Sequence, residues 1–82
     1  MPIKIEQIMR QGVDFFKLGM FKNAEEKFRK AVKLKADHFL PHFKLGVTLI
    51  KLNKLAEAEI SFKQSIKLKT NFADTHNNLG LT

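Results

Sequence analysis

Eighty-two residues, 44% of them apolar, suffice for one small domain, and the absence of cysteine excludes disulfides, thiolate nucleophiles and cysteine-ligated metal sites. Fifteen Lys and Arg against eight Asp and Glu give a net charge of +7, which biases the surface toward acidic partners without assigning a function. No apolar run follows the N-terminus and no stretch approaches the roughly 18 apolar residues that span a bilayer, so a soluble, cytoplasmic protein is the default expectation.

The predicted elements are all helices. Residues 3–18 place Ile8, Gly12, Phe15 and Leu18 at three- and four-residue steps, the spacing of one helix face. Gly19 follows, and glycine accepts the left-handed conformation that closes a helix. A second helix over 22–35 carries the stripe Ala24, Phe28, Ala31, Val32 and Lys35. Asp37 then offers a side-chain oxygen as the cap of a third helix, 39–52. Pro41 falls in that helix's first turn, where no intrahelical N–H bond is lost. Its stripe is His42, Leu45, Gly46, Leu49 and Leu52, and Asn53 closes it as Gly19 closes the first. A fourth helix, 56–69, presents Ala58, Phe62, Ser65, Ile66 and Lys69; Asn71, in the place of Asp37, predicts a further cap and a fifth helix over 73–82.

These helices repeat. Gly12, Gly46 and Gly80 are each 34 residues apart. The same shift matches Val13 with Val47, Lys17 with Lys51, Leu18 with Leu52, Ala24 with Ala58, Glu25 with Glu59 and Phe28 with Phe62. Lys33-Leu34-Lys35 falls on Lys67-Leu68-Lys69. One domain, 1–82, therefore holds a unit at 5–38, its copy at 39–72 and the start of a third at 73–82. A mid-helix glycine costs about 1 kcal/mol relative to alanine, so Gly12, Gly46 and Gly80 predict a close approach of the partner helix. Ala24 and Ala58 would supply the matching small surface, with Phe28 and Phe62 filling the space between adjacent units.

The pattern resembles the tetratricopeptide repeat family. The second copy carries His42, Leu45, Gly46, Leu49, Ala58 and Phe62; the first carries Ile8, Gln11, Gly12, Phe15, Ala24 and Phe28; the third opens with His76, Leu79 and Gly80. Departures are the absence of Trp and Tyr, Gln11 in place of the usual Leu, and Ala36 and Thr70 where proline is common. The resemblance implies an all-α fold, with helix–turn–helix repeats stacked as a right-handed α-solenoid of about two and a half repeats.

It also implies that the first helix of each unit lines a concave groove that takes an extended peptide or a partner helix. Mapped onto this chain, the groove holds Glu6, Met9, Arg10, Val13, Phe16 and Lys17, then Leu40, Phe43, Lys44, Val47, Ile50 and Lys51, then Asp74, Asn77, Asn78 and Leu81. This mixture of apolar and basic side chains suits an acidic protein segment with apolar anchors. Packing between helices is the competing explanation for the apolar members, and simple solvation for the basic ones. The family's clamp for acidic chaperone tails is not present, because its positions read Met9, Val13, Lys44, Asp74 and Asn78. The run His76-Asn77-Asn78-Leu79-Gly80 is similar to repeats attached to bacterial glycosyltransferases. The resemblance therefore leaves open the N-terminal part of a longer protein or transferase.

Catalysis has little support. His38 and His42 are four residues apart, but Pro41 lies between them and no third ligand is evident, so neither a metal nor a cofactor is expected. Ser61 and Ser65 have no histidine partner in the repeat, and no phosphate-cradling glycine loop occurs. Glu25–Arg29, Glu26–Lys30 and Glu59–Lys63 are expected as i,i+4 ion pairs. RNA binding is the lesser alternative, motivated by the lysines between Lys27 and Lys35 and between Lys63 and Lys69, which lack an aromatic stacking platform. Self-association through the open end of the last unit is a further expectation.

Overall fold

The computed structural model describes the backbone of residues 4–77 and the side chains of residues 4–69. Among the described residues the structure is four helices and no strand: α1 (Ile5–Lys17), α2 (Phe21–Leu34), α3 (Phe39–Lys51) and α4 (Leu55–Asn77). Each packs against the next in chain order, so α1–α2 and α3–α4 are two helical hairpins laid side by side.

The hairpin turns form as the sequence predicts. Gly19 has φ 78° and Asn53 φ 62°. Around Gly19, the Met20 N–H donates to the Phe15 carbonyl at 2.8 Å and the Gly19 N–H to that of Phe16 at 3.0 Å. Around Asn53, the Lys54 N–H reaches the Leu49 carbonyl at 2.8 Å and the Asn53 N–H that of Ile50 at 2.9 Å. Both are Schellman closures, which satisfy carbonyls that a helix end would otherwise leave bare.

The junctions between units differ from expectation in two places. The cap of α3 is His38 rather than Asp37: α3 starts at Phe39, so the cap position falls one residue later, and His38 Nδ1 accepts from the Leu40 N–H at 3.2 Å. His42 steadies the same turn, its Nε2 lying 2.9 Å from the Ala36 carbonyl. After Lys69 the predicted break is not formed, and α4 runs unbroken to Asn77 with Asn71 inside it. The separate helix expected over 73–82 is thus a continuation of α4 as far as Asn77, and residues 78–82 lie outside the described residues. The reason is in the sequence. Pro41 obstructs a straight run from α2 into α3, whereas its repeat equivalent is Thr75, which allows one.

The core is centred on Ala24, Phe28, Leu45, Leu49 and Ala58, with Met9, Val13, Phe15, Phe16, Val32 and Phe62 around it. The glycines serve the phenylalanines. A Cβ on Gly12 would stand 2.6 Å from Phe28 Cε1, and one on Gly46 would stand 2.9 Å from Phe62 Cε1. The close approach is therefore that of a ring, and it occurs inside each unit. Phe28 and Phe62 seat first on their own hairpins, not solely between neighbouring ones. Phe28 is 1% exposed, a burial worth about 1.5–3 kcal/mol for a side chain of this size. The repeat-signature residues Gly12, Ala24, Phe28, Leu45, Gly46, Leu49 and Ala58 are buried; Phe15 and Phe62 are half-buried, and Leu79 and Gly80 lie outside the described residues.

Candidate functional site

The first helices of the two hairpins, α1 and α3, flank a groove floored by α2. Val13 and Phe16 from α1, Phe28 from α2, and Phe43, Lys44 and Val47 from α3 enclose about 240 Å³. A second hollow of about 520 Å³ adjoins it, lined by Ile5, Glu6, Met9, Arg10 and Val13 on one side and by Lys35, His38, Leu40, Pro41 and Lys44 on the other. Val13 and Lys44 border both, so the two are one groove. Its inner end is apolar and ringed by three phenylalanines. Its outer end carries Arg10, Lys35 and Lys44 against the single carboxylate of Glu6.

Local sequence explains this layout. The α3 residues Leu40, Phe43, Val47 and Ile50 recur at three- and four-residue steps and form a stripe. Leu40, Phe43 and Ile50 are exposed, an uncommon disposition for three large apolar side chains on one helix face. Phe43 is held edge-on against Phe62, with ring centroids 5.7 Å apart, so its ring is fixed from behind while its other side meets the groove. Phe16 is held the same way by Phe21 at 5.1 Å.

Of the predicted groove residues, Glu6, Met9, Arg10, Val13, Phe16, Leu40, Phe43, Lys44 and Val47 come together around these hollows. Lys17, Ile50 and Lys51 do not line either one; they are exposed at the C-terminal ends of α1 and α3. Asp74 and Asn77 lie in the extension of α4, not on the first helix of a third unit, and their side chains are outside the described residues, as is Asn78 altogether. Ile5, Phe28, Lys35, His38 and Pro41 were not among the predicted groove residues. Phe28 reaches the groove from the second helix, and Lys35 and His38 from the turn between units. The signal for the latter pair is their place just before α3, where the chain enters the groove's mouth.

The charges of α2 and the start of α4 have a different arrangement. Arg29 donates through Nε to Glu25 Oε2 at 2.8 Å, and its Nη2 reaches Glu57 Oε1 at 2.8 Å; Lys54 Nζ lies 3.2 Å from Glu25 Oε1. Glu25 and Arg29 belong to the first unit, Lys54 and Glu57 to the second, so the network ties the hairpins together. Burial alone would raise the pKa of Glu25, but its hydrogen bonds and ion pairs with Arg29 and Lys54 prevail and hold it below the usual carboxylate value. Glu59 and Lys63 form the expected pair at 2.9 Å on the surface, whereas Glu26 and Lys30 do not pair. Of the lysines considered for RNA, Lys27, Lys30 and Lys33 line a hollow with Glu26 and Arg29 that no aromatic ring borders, and Lys69 Nζ lies 5.7 Å from the centre of the Phe39 ring. Among the described residues no three His, Asp or Glu side chains gather as metal ligands, and no helix is long and apolar enough to cross a membrane.

Two matched helical hairpins with a groove between their first helices define a helical-repeat protein. A tetratricopeptide repeat family model matches residues 15–38 and 41–72, and the chain belongs to that family. Comparison with curated proteins and with solved structures found no match. Repeats of this family are protein-interaction modules, which makes another protein the class of partner the fold supports.

Proposed function

We propose that this chain is a non-catalytic, cytoplasmic module that holds an acidic segment of a partner protein in the groove between α1 and α3. An apolar side chain of the ligand enters the hollow ringed by Phe16, Phe28 and Phe43. A carboxylate of the ligand then meets Lys44, which borders both ends, and Arg10, which lines the basic end. The observation that carries this reading is the sharing of Val13 and Lys44 by both hollows, because it puts an apolar anchor and a cation within reach of one short segment. Charge-assisted hydrogen bonds from Lys and Arg are about twice as strong as neutral ones, so the basic end adds orientation as well as affinity.

The test is a peptide array in which acidic and apolar positions are varied, probed with the full chain. Peptides combining one bulky apolar residue with nearby acids are expected to bind best. Lys44→Glu should then weaken the selected peptide by about tenfold or more, the loss of one charged contact and its replacement by repulsion. Lys51→Glu, outside the hollows, should leave it nearly unchanged. Equal affinity for the wild type and Lys44→Glu would remove the groove assignment.

A further inference from the structure

The two hairpin turns stand at one end of the molecule. Lys54 Nζ lies 3.2 Å from Glu25 Oε1 and Arg29 reaches Glu57, which sets the start of α4 beside the first half of α2. The turn between α2 and α3, with Lys35 and His38 at the basic mouth of the groove, is at the other end. Residues 15–24 and 48–56, which contain the two hairpin turns, hold Lys17, Lys22, Lys51 and Lys54 and no acidic residue. All four lysines are exposed.

Apolar side chains stand among these lysines. Leu18 is 73% exposed, Leu55 59% and Met20 43%. Leu18 is out of character with its own face of α1. Gln7, Gln11 and Asp14 on that face are polar and exposed, whereas their repeat equivalents Pro41, Leu45 and Thr48 are buried. Stacking between units therefore does not account for Leu18. The backbone of both turns is already satisfied, since the Met20 and Lys54 N–H groups donate to the Phe15 and Leu49 carbonyls. Both turns can leave water without orphaning those groups.

We propose that this end of the molecule docks on an anionic membrane surface. Leu18, Met20 and Leu55 enter the boundary between headgroups and acyl chains, and the lysines meet the lipid anions. The apolar side chains project from tight turns instead of lining a hollow, so the partner that fits them is one that yields around them, as lipid does. Apolar insertion and attraction to anionic lipid reinforce each other in binding of this kind. The groove's basic mouth then faces away from the membrane, so a docked chain can still take a protein segment.

Co-sedimentation of the full chain with vesicles of equal parts phosphatidylcholine and phosphatidylserine tests this, with phosphatidylcholine vesicles and soluble polyglutamate as comparisons. Binding to the mixed vesicles alone is expected. Lys17→Glu removes one attraction and adds a repulsion, and should weaken it by about thirtyfold. Lys33→Glu makes the same change of charge in the last turn of α2, away from the hairpin turns, and should have little effect at physiological salt. Leu18→Ser should weaken binding by about tenfold. Far-UV circular dichroism checks that each variant keeps its helices; if Leu18→Ser does not, Leu55→Ser replaces it. A wild type that ignores the mixed vesicles overturns the proposal. So does equal weakening by Lys17→Glu and Lys33→Glu, which would leave only diffuse charge, or full binding by the folded leucine variants. Polyglutamate bound as tightly as the mixed vesicles would overturn it in favour of an acidic protein.

Discussion

The first hairpin is enclosed and the second is open, although the same 34-residue pattern built both. Phe28 and Phe62 are repeat equivalents seated on equivalent glycines, yet one is fully buried and the other half-buried. Glu25 and Glu59 each pair with the basic residue four positions on, but only Glu25 gains partners from a neighbouring unit. The lesson is that a repeat residue's worth comes from its neighbours as much as from itself, as expected where stability is a sum of unit and interface terms.

The largest difference should come from truncating the two rings. Phe28→Ala is expected to cost about 3–5 kcal/mol and Phe62→Ala less, because Phe62 is only partly buried. Urea denaturation of both variants measures the gap; equal losses would break the comparison. Glycine replacements sharpen it next. Gly12→Ala forces a Cβ to within 2.6 Å of a fully buried ring and should destabilise by about 1–3 kcal/mol. At Gly46 the facing ring of Phe62 has room to yield. There the helix propensity of alanine, worth about 1 kcal/mol, should bring the net change close to zero.

Smaller effects are expected from the charges. Glu25→Gln should cost about 1 kcal/mol, since its side chain is 12% exposed and its partners are half in solvent, while Glu59→Gln on the surface should change stability little. Acid separates the two as well. The folded pKa of Glu25 lies below its ordinary 4.5, so its contribution is complete above that value and is lost as the pH falls through the lower folded one. The difference between wild type and Glu25→Gln in urea midpoint should therefore shrink between neutral pH and about pH 3.

Much of the fold was legible because its signals are local. Gly19 and Asn53 announce left-handed closures, and the spacing of apolar residues fixes which faces meet. The cap at His38 was misplaced by one residue because a neutral imidazole can accept a hydrogen bond as an Asp oxygen can, and nothing in the pattern separates the two positions. The break after Lys69 was inferred by analogy with the first junction, where the deciding residue, Pro41, lacks a counterpart. In the groove, mapping the family's first-helix positions onto the chain reached Val13, Phe16, Phe43, Lys44 and Val47. It could not find Phe28, which enters from the second helix, nor Lys35 and His38, which enter from a turn. It also extended to Lys17, Ile50 and Lys51, past the enclosed length of the groove.

The network of Glu25, Arg29, Lys54 and Glu57 joins α2 to the start of α4 and so straps across the intervening α3. Among the described residues no such strap holds α1, whose main contacts are with α2. Under a pulling force applied at the N-terminus, α1 should therefore peel away first, leaving α2, α3 and the base of α4 as a clamped unit. The groove would open by losing one wall before the protein as a whole gives way, so tension on the chain would dismantle the proposed site while most of the fold survives.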